Sequence, residues 1–400
     1  MILLLACNGP DWQGDDPVSA VDDTGALDTS DTGSPTEDDY DIFEQMRDGE
    51  LDAEAGFYAV AASGGWPIEH DGACVFAALD EGSEVSLAGD HNDWTPEPMT
   101  LGDIWWAEVE IAAPEGSLYK FVVEGDYVAD DWSRAYGYDD FGAYSLVEGG
   151  GGNLEWWLID GRVVRVWVPL GAVTHQLYVA DGQNLFDPDA AYGGWRLQEV
   201  LGSGTMAIGI DNSGAGRLDE YGPVEDDIGD GDVYGGGGDA YADWVLEIVR
   251  PKMEAEYGAA GTRGLMGSSM GGLISLYMGF RDPAEWDYAA SLSGTLGWGS
   301  IGYDDPVIFE AATEKKDIAV FLDSGGTEGS GCVDSDGDGV EDDGNGSDNY
   351  CVNRQLADLL ADTGWSWETD LWHWHEAGAT HNEAAWADRV WRPVSYFEGL

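Results

Sequence analysis

Gly267-Ser268-Ser269-Met270-Gly271 constrains the fold of this chain more than any other stretch. A serine between two glycines in the order G-x-S-x-G suits a turn in which the backbone leaves a buried strand and enters a helix at once. The serine then sits in strained geometry, and a side chain two positions before or after it would collide with the neighbouring strand and helix. The chain has 59 glycines in 400 residues, enough for such a pentapeptide to arise by chance, so the flanks decide its meaning. Thr262-Arg263-Gly264-Leu265-Met266 predicts a short buried strand entering the turn, and 270–280 is apolar and free of proline, as a helix packed on a sheet should be. Arg281-Asp282-Pro283 ends that helix. Ser269 is thereby a candidate nucleophile.

From residue 153 onward, apolar runs at 163–170, 177–180, 206–210, 265–266, 289–292, 318–322 and 369–374 alternate with helical stretches at 241–256 and 354–362, and 383–397 closes the chain as a helix. This βα alternation predicts a doubly wound, mostly parallel sheet over 153–400. Residues 55–150 carry short strand patterns with turn signals between them (73–79, 84–88, 104–111, 119–123), which predict a small antiparallel β-sandwich. Residues 8–54, dominated at first by Asp, Thr, Ser, Gly and Pro, predict an acidic disordered linker.

A net charge of −63, from 79 acidic against 16 basic residues, repels nucleic acid and anionic head groups, and excludes such partners. No run is long and apolar enough to span a bilayer. Leu4-Leu5-Ala6-Cys7 resembles a bacterial lipobox, with residues 1–7 as the remnant of an export signal. That resemblance implies a lipid on Cys7 as the sole membrane contact, and an extracytoplasmic location at the cell surface or in the periplasm. Cys332 and Cys351 bracket one polar loop and are expected to pair in an oxidising compartment, whereas Cys74 lies in an apolar strand pattern as a buried thiol.

An activated serine needs a base, an orienting acid and an oxyanion hole. Three of the six histidines follow Ser269. His373 and His375 alternate with Trp372 and Trp374 on one predicted strand, as structural or pocket-lining residues do. His381, in Gly378-Ala379-Thr380-His381-Asn382-Glu383, falls between the last strand and the last helix and is the expected general base. The acid should follow the strand at 318–322. Asp323, Glu328 and Asp348 are all candidates; Asp323 suits a turn cap, and Glu328, after Gly325-Gly326-Thr327, is the preferred one.

Tyr178-Val179-Ala180-Asp181-Gly182-Gln183-Asn184, Arg217-Leu218-Asp219-Glu220-Tyr221-Gly222-Pro223, the serine turn and His381-Asn382-Glu383-Ala384-Ala385-Trp386 together resemble the esterase-D-like esterases, a family with enterochelin, feruloyl and acetyl-xylan esterases and mycolyltransferases. The resemblance covers 155–400 and implies an α/β-hydrolase fold and an oxyanion hole made of the Met270 and Gln183 amides. It also implies a Glu just after Gly-Thr, as at Glu328, although no aspartate stands shortly after Thr327, where other members place it. Val85-Ser86-Leu87-Ala88-Gly89-Asp90-His91-Asn92-Asp93-Trp94, Trp105-Trp106 and the run from Tyr119 to Tyr127 resemble the family-48 carbohydrate-binding module. This second resemblance implies glycan contacts at Trp94, Lys120 and Tyr127.

The expected protein is thus a tethered serine esterase that acts through an acyl-enzyme and needs no catalytic cofactor. A chain so poor in cations favours a neutral ester, an acyl or feruloyl ester of a carbohydrate, over an anionic siderophore complex. An enterochelin-type siderophore esterase and a non-catalytic glycan-binding surface lipoprotein are the alternatives. Within the insert 332–351, Asp334, Asp336 and Asp338 repeat carboxylates at every second position around Gly337, with Asp342 following, as calcium-binding loops do.

Overall fold

The computed structural model describes residues 38–400 except 80, 81, 83, 230, 328–330 and 344–346. The expectations for Cys7 and for Glu328 lie outside the described residues. Two compact units divide between Val168 and Pro169.

The first unit begins with a helix, Asp39–Arg47, where a linker was expected up to residue 54. Asp38 caps it by accepting from the Tyr40 amide at 3.1 Å, and Phe43 and Met46, one turn apart, are fully buried. A second helix, Ala53–Ala62, buries Phe57 and Val60. Strand Ala73–Ala78 explains its unbroken apolar sequence by being covered on both faces. Val75 and Ala77 join Phe43, Met46 and Phe57 in one core, whereas Cys74, Phe76 and Ala78 join Leu87, Tyr119 and Phe121 in another. Antiparallel pairing dominates this unit. It also includes the hairpin Asn153–Ile159 and Arg162–Val168, expected with the second unit. The first strand of that hairpin is laddered to Ala135–Asp139, and Trp156 and Val163 sit in the helix-covered core.

In the second unit six strands run β1 (His175–Ala180), β2 (Thr205–Ile210), β3 (Thr262–Ser268), β4 (Tyr288–Leu292), β5 (Ala319–Gly326) and β6 (Leu371–His375). All pair in parallel, in the order β2-β1-β3-β4-β5-β6. Every residue of β2, β4 and β5 is buried, as strands covered on both faces must be. Helix α1 (Met270–Arg281) is buried on nearly all sides, which accounts for its lack of an amphipathic stripe. The sheet is the α/β-hydrolase arrangement expected from the βα alternation. No helix among the described residues is long and apolar enough to cross a membrane.

Candidate active site

Catalytic groups in open parallel sheets collect beyond the carboxyl ends of the strands, and here the turns after β1, β3, β4 and β6 all open on that side. Ser269 follows β3 directly, with φ 54° and ψ −123°, backbone that a residue with a side chain adopts only under constraint. The flanking glycines show what imposes it. A Cβ on Gly267 would lie 2.3 Å from the carbonyl of Gly271, and one on Gly271 would lie 2.9 Å from Asp181 Oδ2. Ser269 Oγ is 3.3 Å from Thr295 Oγ1, and both residues are buried.

His381 sits in the loop after β6, as its sequence position predicts. That loop is tied to β5 by Glu376 N donating to Ser324 O at 2.9 Å, by Gly378 N donating to Gly326 O and by Gly326 N donating to Ala379 O, the last two both at 2.7 Å. Asn382 then caps helix Glu383–Ala387 by accepting from the Ala385 amide at 3.1 Å. The imidazole stands edge-on to Trp386 at 4.9 Å. Its Nδ1 is hydrogen-bonded to Asp348 Oδ1.

Asp348, the last of the three candidate acids, therefore holds the position beside the histidine for which Glu328 was preferred. The insert that separates it from β5 returns at its end as a two-residue strand, Ser347–Asp348, antiparallel to Gly325 and Gly326. Asp348 Oδ2 accepts from Gly325 N at 2.8 Å and from Ser293 Oγ at 2.5 Å. Burial works against its charge. The bond and charge of His381, the Ser293 hydroxyl and the Arg389 guanidinium outweigh it and hold the carboxyl below its ordinary value. Asp323 binds Arg389 instead, accepting from its Nε at 3.0 Å. His375 is a support, its Nε2 3.2 Å from Gly326 O and its ring 4.4 Å from that of Tyr350, and the His373 ring lies 6.5 Å from the same tyrosine.

The Asp181-Gly182-Gln183 turn is held from below. Arg217 grips Asp181 through two bonds, Asn212 Nδ2 adds a third at 2.7 Å, and the Asp181 amide donates to Tyr221 Oη at 3.2 Å. This explains why the stretch beginning Arg217-Leu218-Asp219-Glu220-Tyr221 accompanies the turn. Met270 opens α1 and Gln183 sits in the helical turn Gly182–Asn184, positions whose N–H groups find no acceptor within their own helical segment. Asn184 Nδ2 donates at 3.2 Å to Glu383, a buried carboxyl pushed upward by its burial, which joins this turn to the histidine loop.

In the insert, Cys332 and Cys351 form the expected disulfide. Carboxylate oxygens of Asp334, Asp336 and Asp338 come within 4.8 Å of one another, while Asp342 Oδ2 accepts from the Ser335 amide at 2.8 Å. In the first unit, Trp94 and Tyr127 come together, with ring centres 6.5 Å apart and Tyr127 Oη donating to Trp94 O at 3.1 Å. Lys120 does not join them on the surface. It occupies a buried position of strand Leu118–Val123 and at 9% exposure offers a sugar almost nothing to touch.

Residues 164–393 match the family described as "Putative esterase". No curated protein matches the chain. Among solved structures, the chain is similar to the enterobactin esterase FES from Shigella flexneri, at 13% identity over 82% of this chain and 93% of that one, with a TM-score of 0.43. It is also similar to the siderophore hydrolase EstA from Aspergillus nidulans, at 20% identity over 62% of this chain and 94% of that one, with a TM-score of 0.48. An IroE-like serine hydrolase from Shewanella oneidensis is 17% identical over 59% of this chain and 76% of that one, with a TM-score of 0.46. Likeness at this distance says nothing of the substrate.

Proposed function

Because the chain belongs to the family described as "Putative esterase" and is a carboxylic ester hydrolase, we propose that Ser269, His381 and Asp348 carry the reaction. The observation that supports this most is the Asp348–His381 bond at Nδ1, which leaves Nε2 as the imidazole's free basic atom. Nε2 takes the proton of Ser269 as Oγ bonds to the ester carbonyl carbon. The Met270 and Gln183 amides hold the resulting oxyanion. The tetrahedral intermediate expels the alcohol, which receives the proton from the imidazolium, and an acyl-serine remains. Water, deprotonated by the same nitrogen, then bonds to the acyl carbon, and the second tetrahedral intermediate expels Ser269 Oγ, which recovers the proton from Nε2 as the acid leaves.

A neutral ester fits best, an acyl or feruloyl ester of a carbohydrate. Arg217 and Arg389, two cations among the described residues that brace the site, are each bound to a buried carboxylate, Asp181 and Asp323. Neither is free to recognise an anion, and a net charge of −63 slows anionic ligands further. A panel of acetylated and feruloylated oligosaccharides, aryl esters and ferric enterobactin tests this reading. The neutral esters should give the higher kcat/KM, whereas preference for the siderophore would overturn the assignment.

We extend the proposal to three features outside the catalytic site. Asp334, Asp336, Asp338 and Asp342 would hold a structural calcium ion, a reading supported by the carboxylate oxygens of the first three lying within 4.8 Å of one another; calcium should raise the melting temperature, and indifference to EDTA would refute it. Trp94 and Tyr127 offer a small aromatic platform for a sugar face, to be checked by the retardation of the protein in polysaccharide gels. Cys7 would carry the lipid that tethers the protein outside the cytoplasm, which metabolic labelling with a fatty-acid probe would detect.

A further inference from the structure

Ser293 follows β4 with φ 47°, the left-handed region that a serine enters only under constraint. What holds it there is a buried polar cluster. Its amide donates to Asp323 Oδ1 and to Asp323 O, both at 3.0 Å. Its hydroxyl oxygen accepts from Arg389 Nη2 at 2.7 Å and from Trp386 Nε1 at 3.3 Å. A hydroxyl has two lone pairs and one proton. With both lone pairs taken by donors that cannot accept, the proton can go only to Asp348 Oδ2, 2.5 Å away. The direction of that bond is therefore fixed by the fold.

Arg389 completes the arrangement. Nε and Nη2 reach Asp323 at 3.0 and 3.3 Å, Nη1 donates to Ala385 O at 3.0 Å, and Nη2 stands 3.5 Å from Asp348 Oδ2. Ser293, Asp323 and Arg389 are all at most 1% exposed, so water does not screen these charges. One guanidinium is shared between two carboxylates. It satisfies Asp323 with two bonds and touches Asp348 only at longer range. Burial raises the Asp323 carboxyl against the lowering pull of Arg389; with both carboxylates ionised, the cluster of Asp323, Asp348 and Arg389 carries one negative charge beyond the cation, on the carboxylate that faces His381.

We infer that Ser293 and Arg389 are positioning residues of the esterase reaction: Ser293 fixes the orientation of Asp348 towards His381, and Arg389, divided between Asp323 and Asp348, sets how much negative charge the imidazole meets. This rests on the reading of Asp348 as the triad acid. A carboxylate with several fixed donors on one oxygen cannot swing, and its other oxygen is presented to Nδ1 in a single orientation. Arg389 bonded wholly to Asp348 would oppose the imidazolium that forms in the transition state. Given to Asp323, it anchors the cluster without that opposition.

The test measures kcat, KM and the pH profile of kcat/KM on an aryl ester for Ser293→Gly, Arg389→Met and Arg389→Lys, each with its melting temperature. Glycine suits the positive φ and removes only the hydroxyl. Ser293→Gly should lose about 10- to 100-fold in kcat with KM changed less than about twofold. Arg389→Met leaves the two carboxylates uncompensated, so the acidic limb of the profile, which reports the coupled Asp348–His381 pair, should move to higher pH. Arg389→Lys, which keeps the charge, should retain the wild-type limb. A merely structural role predicts lower melting temperatures with an unmoved limb and a wild-type kcat in the folded protein, and that result would overturn the inference. If Arg389→Met does not fold, wild-type kcat in Ser293→Gly would overturn it equally. Asp348→Asn separates the two levels of the account. Full activity there defeats the triad reading itself, whereas its loss beside unaffected Ser293 and Arg389 variants defeats this inference alone.

Discussion

Arg217 holds Asp181 through Nε and Nη2, at 2.7 and 2.8 Å, and both side chains are buried. The pair supports the turn that carries Gln183 and touches the serine turn as well, because Asp181 Oδ2 fills the space a Cβ on Gly271 would need. One buried ion pair thus braces the two turns expected to supply the oxyanion donors.

Removing the cation from that pair leaves a buried carboxylate uncompensated, a change worth about 3–5 kcal/mol. Arg217→Ala should lower the melting temperature by many degrees and reduce kcat more than it raises KM. Chemical denaturation and steady-state kinetics check both. A variant with wild-type stability would show that the pair does not brace the turn.

Burial pushes His373 down to about 4 from 6.5, and the charges of Arg354 and His375 add to the effect. As pH falls from about 6.5 towards 4, the unfolded chain gains a proton that the folded one refuses, so stability falls across that window and the contribution is constant above it. The loss is about 1.4 kcal/mol for each pH unit separating the two values. His373→Phe should flatten the acid side of a stability–pH curve. A curve of unchanged steepness would count against the effect.

Asp348 lies just before Cys351, whose disulfide to Cys332 closes the insert. Reduction frees the insert's end and with it the hold on the acid. Dithiothreitol, or the double substitution Cys332→Ser with Cys351→Ser, should lower kcat/KM by about 10-fold or more while the β-sheet signal in circular dichroism persists. Unchanged activity after verified reduction would show that Asp348 is held without the bridge.

Much of the site was legible because its signals are local. Gly267 is demanded by a contact within the turn and Gly271 by the neighbouring Asp181, and the place of His381 follows from its position after the last strand. The acid was not legible in the same way. Glu328 stands close to the end of β5 in sequence, but Asp348 returns to that end through a two-residue strand pairing that no periodicity announces. The disulfide held the missing signal: a bridge from Cys332 to Cys351 brings the far end of the insert back to its start. Helix Asp39–Arg47 was hidden by the acidic composition around it, although Asp38 as cap and Phe43 with Met46 at helical spacing mark it. The hairpin over 153–168 reads as buried apolar strands of either unit, and its ladder to Ala135–Asp139, with Trp156 and Val163 in the first unit's core, assigns it.

The identity of the acid is the central claim, and one comparison tests it most directly: kcat/KM of Asp348→Asn beside Glu328→Gln, on the same aryl ester at neutral pH. Asp348→Asn should lose about 10⁴-fold, as a triad does when its acid no longer fixes the imidazole tautomer, and Glu328→Gln should stay within about twofold of wild type. A large loss in Glu328→Gln with Asp348→Asn active would contradict the account.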